Sequence, residues 1–210
     1  MKITIKSTLL PPPGPGSRFL FRTDADGESC AFWSMTGVEP FTIDWGDGTV
    51  ESFSSGNYEK IIHTYAQRGE RWAEITDGIS ALRLSGDSDF TALYSHRLLR
   101  FETDARKLTG LGSSAFKRCV NLTGFSIAES GITSITRVVF EGCTGLRGRI
   151  DFPGVKSYTT GASYAPLKDC TGGIAEIHFD KSMADTFGKS TGFLADTTLG
   201  TGTAVTLFDL

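Results

Sequence analysis

A phrase that returns in the second half of the chain limits its possible folds more than any other feature. AFKRCVNLTGFSI begins at Ala115 and VFEGCTGLRGRIDF at Val139, so Phe116, Cys119 and Leu122 come back as Phe140, Cys143 and Leu146. Leu167 and Cys170 continue the same columns after a slightly longer step. A period of about 24 residues marks units too small to bury an apolar side alone, which therefore stack on one another. Carried backward, the register puts Ser95, Leu98 and Phe101 in a degenerate first copy; carried forward, it puts Leu194 and Thr197 in a last one. The expectation is about five stacked coils.

Each copy contains an apolar pair at two-residue spacing: Phe125/Ile127, Ile150/Phe152, Ile177/Phe179, Val205/Leu207 and, more weakly, Phe101/Thr103. Alternation of this kind turns the pair inward and predicts one strand per coil, stacked into a parallel sheet. Three of the four cysteines, at 119, 143 and 170, share one column of the repeat. A small, half-polar interior position suits a free structural thiol, and without a CxxC pair there is no zinc-binding spacing.

The phrase A-F-x-x-C-x-x-L-x-x-I/F-x-I resembles the BspA-type leucine-rich repeats of bacterial, protist and phage-encoded surface proteins, over roughly residues 90–210. Tyr94 to Leu98 and Phe193 to Leu199 lack the cysteine, and Pro153 to Pro166 insert extra loop. The resemblance implies a leucine-rich-repeat solenoid and a role in attachment.

The front half reads differently. Asp26-Gly27, Asp47-Gly48 and Asp77-Gly78 separate short alternating segments, and Asp-Gly supplies the positive φ angles of tight hairpins. A hairpin-rich antiparallel sheet is expected. FTIDWGDGTV at 41–50, followed by His63-Thr64-Tyr65 and Gly69, resembles the PKD domain, an immunoglobulin-like β-sandwich, in a shortened DWGDGT form. Trp45 and Tyr65 then read as core aromatics, with His63 and Asp44 or Asp47 bonding turn backbone. The rival for these three polar residues is a metal or acid–base site. DADGE at 24–28 spells part of a calcium loop without its full ligand series, and a turn is the better reading.

The fold class expected is mainly β: an immunoglobulin-like β-sandwich plus a short leucine-rich-repeat solenoid with a parallel sheet. Residues 1–16 form an N-terminal strand and Pro-rich arm, 17–86 the PKD-like unit and 87–210 the repeats. Pro11 to Gly16 should be extended and stiff. The 25 glycines and 15 phenylalanines fit a turn-rich β protein.

Charge excludes some partners. Residues 1–86 carry 8 basic and 11 acidic side chains and the remainder 13 of each, a balance that gives no nucleic-acid footprint. No run approaches the ~20 apolar residues of a membrane span, so no membrane insertion is expected. The opening MKITIKSTLLPPPGPG lacks the apolar run of a secretory signal. The expected location is a cell surface or the extracellular space, or a phage particle.

Site candidates come from the outward positions of the repeat strands. One column reads Glu102, Ser126, Asp151, His178 and Thr206; beside it lie Arg100, Arg149 and Glu176, and Asp104, Asp180 and Phe208. Asp151, Glu176, His178 and Asp180 should cluster on one exposed face, with coils ~4.8 Å apart. Tyr158 and Tyr164, in the longer loop, could add stacking surface. The binding set is thus Arg100, Glu102, Arg149, Asp151, Glu176, His178, Asp180, Tyr158 and Tyr164, with no catalytic residue, metal or cofactor expected. A glycosidase needs two carboxylates flanking a cleft with one kept protonated, which an open sheet does not supply. Gly188-Lys189-Ser190 lacks the earlier glycine of a phosphate loop, and GxSxG, HExxH and dinucleotide motifs are absent. Asn121-Leu122-Thr123 is a glycosylation sequon in spelling only, because Leu122 belongs in the core.

These readings point to a non-catalytic adhesion or recognition protein for a protein or glycan ligand. The alternatives are a structural tail or fibre component of a prophage particle and, more weakly, a carbohydrate-active enzyme. The final TAVTLFDL, a repeat strand without a capping segment, invites self-association or partner docking.

Overall fold

The computed structural model describes residues 15–158, 165–180, 183 and 204–208, with Asp180 and 204–208 considered through their backbone alone. Tyr164, Leu194 and Thr197, and all of the N-terminal arm before Pro15, lie outside the described residues. The described chain is mainly β with one short α-helix.

Seven strands come first: β1 (Gly16–Thr23), β2 (Ser29–Gly37), β3 (Phe41–Asp44), β4 (Val50–Phe53), β5 (Gly56–Thr64), β6 (Gly69–Thr76) and β7 (Ile79–Arg83). Alternation sets their faces. In β1, Ser17, Phe19, Phe21 and Thr23 are buried while Arg18 is exposed. β1, β6, β3 and β4 belong to one sheet and β5, β2 and β7 to another, and Phe19 meets Phe32 of β2 edge-on at 4.8 Å. Trp45 and Tyr65 are both interior, and the Tyr65 hydroxyl donates to the Trp45 carbonyl at 3.0 Å.

The three Asp-Gly turns behave differently from one another, which corrects the hairpin expectation. Asp47-Gly48 closes the β3–β4 hairpin. Asp26-Gly27 instead leads from β1 to β2, and Asp77-Gly78 from β6 to β7, each crossing between sheets. A period of two fixes which residues face inward but not which strand lies alongside; Phe19 and Phe21 find Phe32 across the core, not beside them. The carboxylates of DADGE cap this crossing. Glu28 accepts from the Asp24 and Ala25 amides at 2.6 and 3.1 Å, and Asp26 from the Arg68 amide at 2.8 Å.

The second half opens with α1 (Ser88–Tyr94), capped by Asp87, whose carboxylate accepts from the Phe90 amide at 2.9 Å. Then come β8 (Leu98–Thr103), β9 (Gly110–Leu111), β10 (Gly124–Ser126), β11 (Ser134–Ile135), β12 (Gly148–Phe152), β13 (Ser157–Tyr158), β14 (Ile174–Asp180) and β15 (Ala204–Phe208). β8 pairs antiparallel with β1, placing Phe101 opposite Phe19, and parallel with β10, placing Phe101 opposite Phe125. β9 pairs parallel with β7. Both front sheets therefore continue past residue 86, in the orders β10-β8-β1-β6-β3-β4 and β5-β2-β7-β9.

Farther along, β12, β14 and β15 form a parallel ladder in which Ile150 faces Ile177 and Phe152 faces Phe179, while Ile177 is in register with Val205. A second parallel ladder joins β11 to β13. One buried cluster runs from Phe19 to Met183 without a gap. Phe101 is its hinge point, with ring centroids 4.9 Å from Phe19, 5.0 Å from Phe116 and 5.6 Å from Phe125.

The cysteine column has a bonding role. All four thiols are free and buried; Cys143 donates to the Phe116 carbonyl at 2.9 Å and Cys170 to that of Phe140 at 3.1 Å. These two thiols thus each bond the preceding copy of the phrase. Burial pushes Cys30 and Cys170 up to about 12, which leaves them protonated and unreactive at neutral pH. The residue before each column cysteine is left-handed: Arg118 (φ 57°), Gly142 (φ 72°) and Asp169 (φ 56°). Asn121 donates to the His96 carbonyl at 2.7 Å beside a fully buried Leu122, consistent with a sequon in spelling only. Among the described residues no helix is long and apolar enough to cross a membrane.

Candidate binding surface

The outer face of the six-stranded sheet carries one unbroken transverse row. Cross-strand register aligns Ser126, Glu102, Arg18, Glu74, Asp44 and Val50, one residue from each of β10, β8, β1, β6, β3 and β4. This row lines a groove of about 700 Å³, deepened at one side by Pro15 and Asp104. Among the described residues, four carboxylates, those of Asp44, Glu74, Glu102 and Asp104, and one cation, Arg18, line it. Arg18 reaches Glu102 through Nε at 2.7 Å and lies over the Trp72 ring at 4.8 Å; Arg100 holds the other oxygen of Glu102 at 2.8 Å. Asp104 accepts the Gly16 amide at 2.8 Å, closing the groove wall.

Arg100 and Glu102, expected at the edge of the repeat face, therefore belong to a surface built jointly with the front half. The other expected cluster assembles as well, in part. Arg149 Nε is 2.7 Å from Asp151, and His178 stands between Asp151 (3.3 Å) and Glu176 (3.0 Å). Yet His178 is only 3% exposed, so it is an interior residue and not part of an open face. Its two carboxylate neighbours remain about half exposed. Asp180 ends β14 in register with Phe208. Tyr158 is corrected from stacking surface to core: it is 6% exposed because β13 pairs with β11, opposite Ile135.

The third cluster performs turn chemistry. Asp47 takes the His63 ring at 2.8 Å and the Thr49 amide at 3.0 Å, while Asp44 accepts the Gly46 amide at 2.9 Å. His63 stacks on Trp45 at 4.7 Å. Burial pushes the Asp47 carboxyl up, but the bonds from His63 and Thr49 outweigh it and hold the group below its usual range. Among the described residues no group of His, Cys, Asp and Glu is arranged to hold a metal ion.

Sequence reasoning missed Arg18, Glu74 and the outward role of Asp44. Their signal was present as the polar half of each alternation, but which polar residues become neighbours depends on strand order. Comparison with protein-family models, curated proteins and solved structures finds no match to this chain.

Proposed function

We propose that this chain is a non-catalytic adhesion or recognition protein, with a PKD-like, immunoglobulin-like front half continued by a coil of BspA-type leucine-rich repeats. The observation that carries the reading is the charged groove of about 700 Å³ on the sheet the two halves share. Binding sites are concave, with few placed polar groups, and this one combines strands distant in sequence on a paired scaffold. The ligand class is a protein or glycan. The test is retention of labelled protein on intact bacterial and host cell surfaces and on glycan and extracellular-protein arrays. Saturable binding that a charge reversal, Glu74→Lys, abolishes supports the reading; no saturable binding to any of these surfaces refutes it.

A second reading, a structural tail or fibre component of a prophage particle, is favoured by β15, which lies at the outer edge of its ladder among the described residues. An unpaired parallel edge templates another strand. Concentration-dependent assembly in sedimentation, with the chain found by mass spectrometry in induced phage particles, would support it. A monomer at all concentrations that is absent from particles would remove it.

A further inference from the structure

We infer that Asp44 and Glu74, which line the groove, receive a lysine or arginine side chain from an extended segment of a partner protein. This rests on the recognition reading above and assigns its ligand chemistry. The two carboxylates stand directly opposite each other on β3 and β6. Directly opposed residues on antiparallel strands have Cβ atoms ~4.5–5.5 Å apart, where like charges are destabilising. Arg18 stands opposite Glu74 on β1, but its guanidinium is bonded to Glu102 and lies over the Trp72 ring. Among the described residues no hydrogen bond or ion pair reaches the Glu74 carboxylate, and Asp44 takes only the Gly46 amide.

A repelling pair on the wall of a groove is relieved by an incoming cation, and the described lining has the matching sign, four carboxylates to one guanidinium. Shape selects the form of the ligand. The row crosses six strands at ~4.8 Å spacing, a span of ~24 Å that an extended segment of about seven residues fills at ~3.3 Å each. At the β4 end Val50 is 57% exposed, an apolar contact for the aliphatic stem of a lysine or arginine. A neutral sugar would leave the opposed charges as they are.

The probe is a fluorescein-labelled octapeptide of alternating Lys and Thr, read by fluorescence anisotropy against the full chain, with Glu replacing Lys in the control peptide. The Lys peptide should bind saturably, weaken as salt is raised and outcompete spermine at equal charge. Asp44→Asn with Glu74→Gln should weaken it at least tenfold while raising the melting temperature, since the repulsion is removed and Asn retains an acceptor for Gly46. Glu59→Gln, on the other sheet, should change neither. Equal binding of both peptides, unchanged affinity in the double variant, a lowered melting temperature, or spermine binding as tightly as the peptide would each overturn the inference. If the full chain still binds cell surfaces in that case, this inference alone has failed; if surface binding is also absent, the recognition reading fails with it.

Discussion

The front sheets and the parallel ladders of the second half bury similar apolar residues through pairings of very different reach. In the front half Gly16 pairs with Thr76 and Thr23 with Gly69, so each strand packs inside a set assembled from distant segments. The second half pairs at short steps: Phe101 lies beside Phe125, Ile150 beside Ile177 and Ile177 beside Val205, each pair 24 to 28 residues apart. Units that stack in this way need a finished end. β8 and β9 extend the two front sheets, and if the parallel half depends on that junction, the antiparallel half is its template.

Removing the template should have the largest effect. A chain of residues 87–210 loses the β1 partner of β8 and the β7 partner of β9, and should show no cooperative thermal transition by circular dichroism. A chain ended after residue 135 keeps both junctions and should retain one. If the isolated repeats melt cooperatively, the two regions are independent and the coil needs no template.

Next comes Phe101→Ala, at the point where both regions meet, expected to cost about 3–5 kcal/mol in denaturant unfolding. Because Phe101 touches Phe19 and Phe116 alike, hydrogen exchange should accelerate in β1 and in the first coil together. Protection lost in one region only would locate the boundary at that ring.

A smaller effect is confined to the front half. Asp47 is held below its usual carboxyl range, so its contribution is complete at neutral pH and disappears as pH falls through the folded value, below about 4. Asp47→Asn should therefore cost about 1–2 kcal/mol at pH 7, the loss of a charge-assisted bond partly screened by water, and less at pH 2. Urea titrations at the two pH values measure the difference; an equal cost at both would show that the charge plays no part.

The smallest effect concerns a single backbone position of the coil. Arg118 occupies with a side chain the left-handed position that Gly142 fills in the next repeat. Arg118→Gly should stabilise by about 0.5–1 kcal/mol, because relief of a left-handed penalty of about 1–2 kcal/mol is offset by glycine's extra freedom in the unfolded chain. A loss of stability would mean that the Arg118 side chain contributes packing that exceeds its backbone strain.

Much of this architecture is legible in the residues. The columns Phe116/Phe140, Cys119/Cys143/Cys170 and Leu122/Leu146 are buried as their period requires, and Ile150/Phe152 meet Ile177/Phe179 in matching register, but β10 and β12 fall in different sheets, so the single parallel sheet expected from the repeats is divided. Ser95, which the register puts in the degenerate first copy, is buried and its hydroxyl is 3.2 Å from that of Ser85. The misreadings share a cause. Local spacing puts Tyr158 in a loop and His178 on an open face, yet it does not say that β13 has a partner or that a polar position will be covered. The groove is illegible for the same reason, since Glu74 and Asp44 are distant in sequence and adjacent only across β3 and β6.

Local terms are written in the residues themselves: which side chains alternate inward, where the chain turns, and the step at which coils repeat. Each depends on neighbours within a turn, a strand or one repeat. Strand partnership belongs to the assembled fold. It made Asp26-Gly27 a crossing between sheets, joined β8 to β1 across residue 86, and lined Glu102, Arg18, Glu74 and Asp44 into one row. Backbone hydrogen bonds between strands are the same for every sequence, so partner choice rests on burying the whole core at once, a property that no single segment carries.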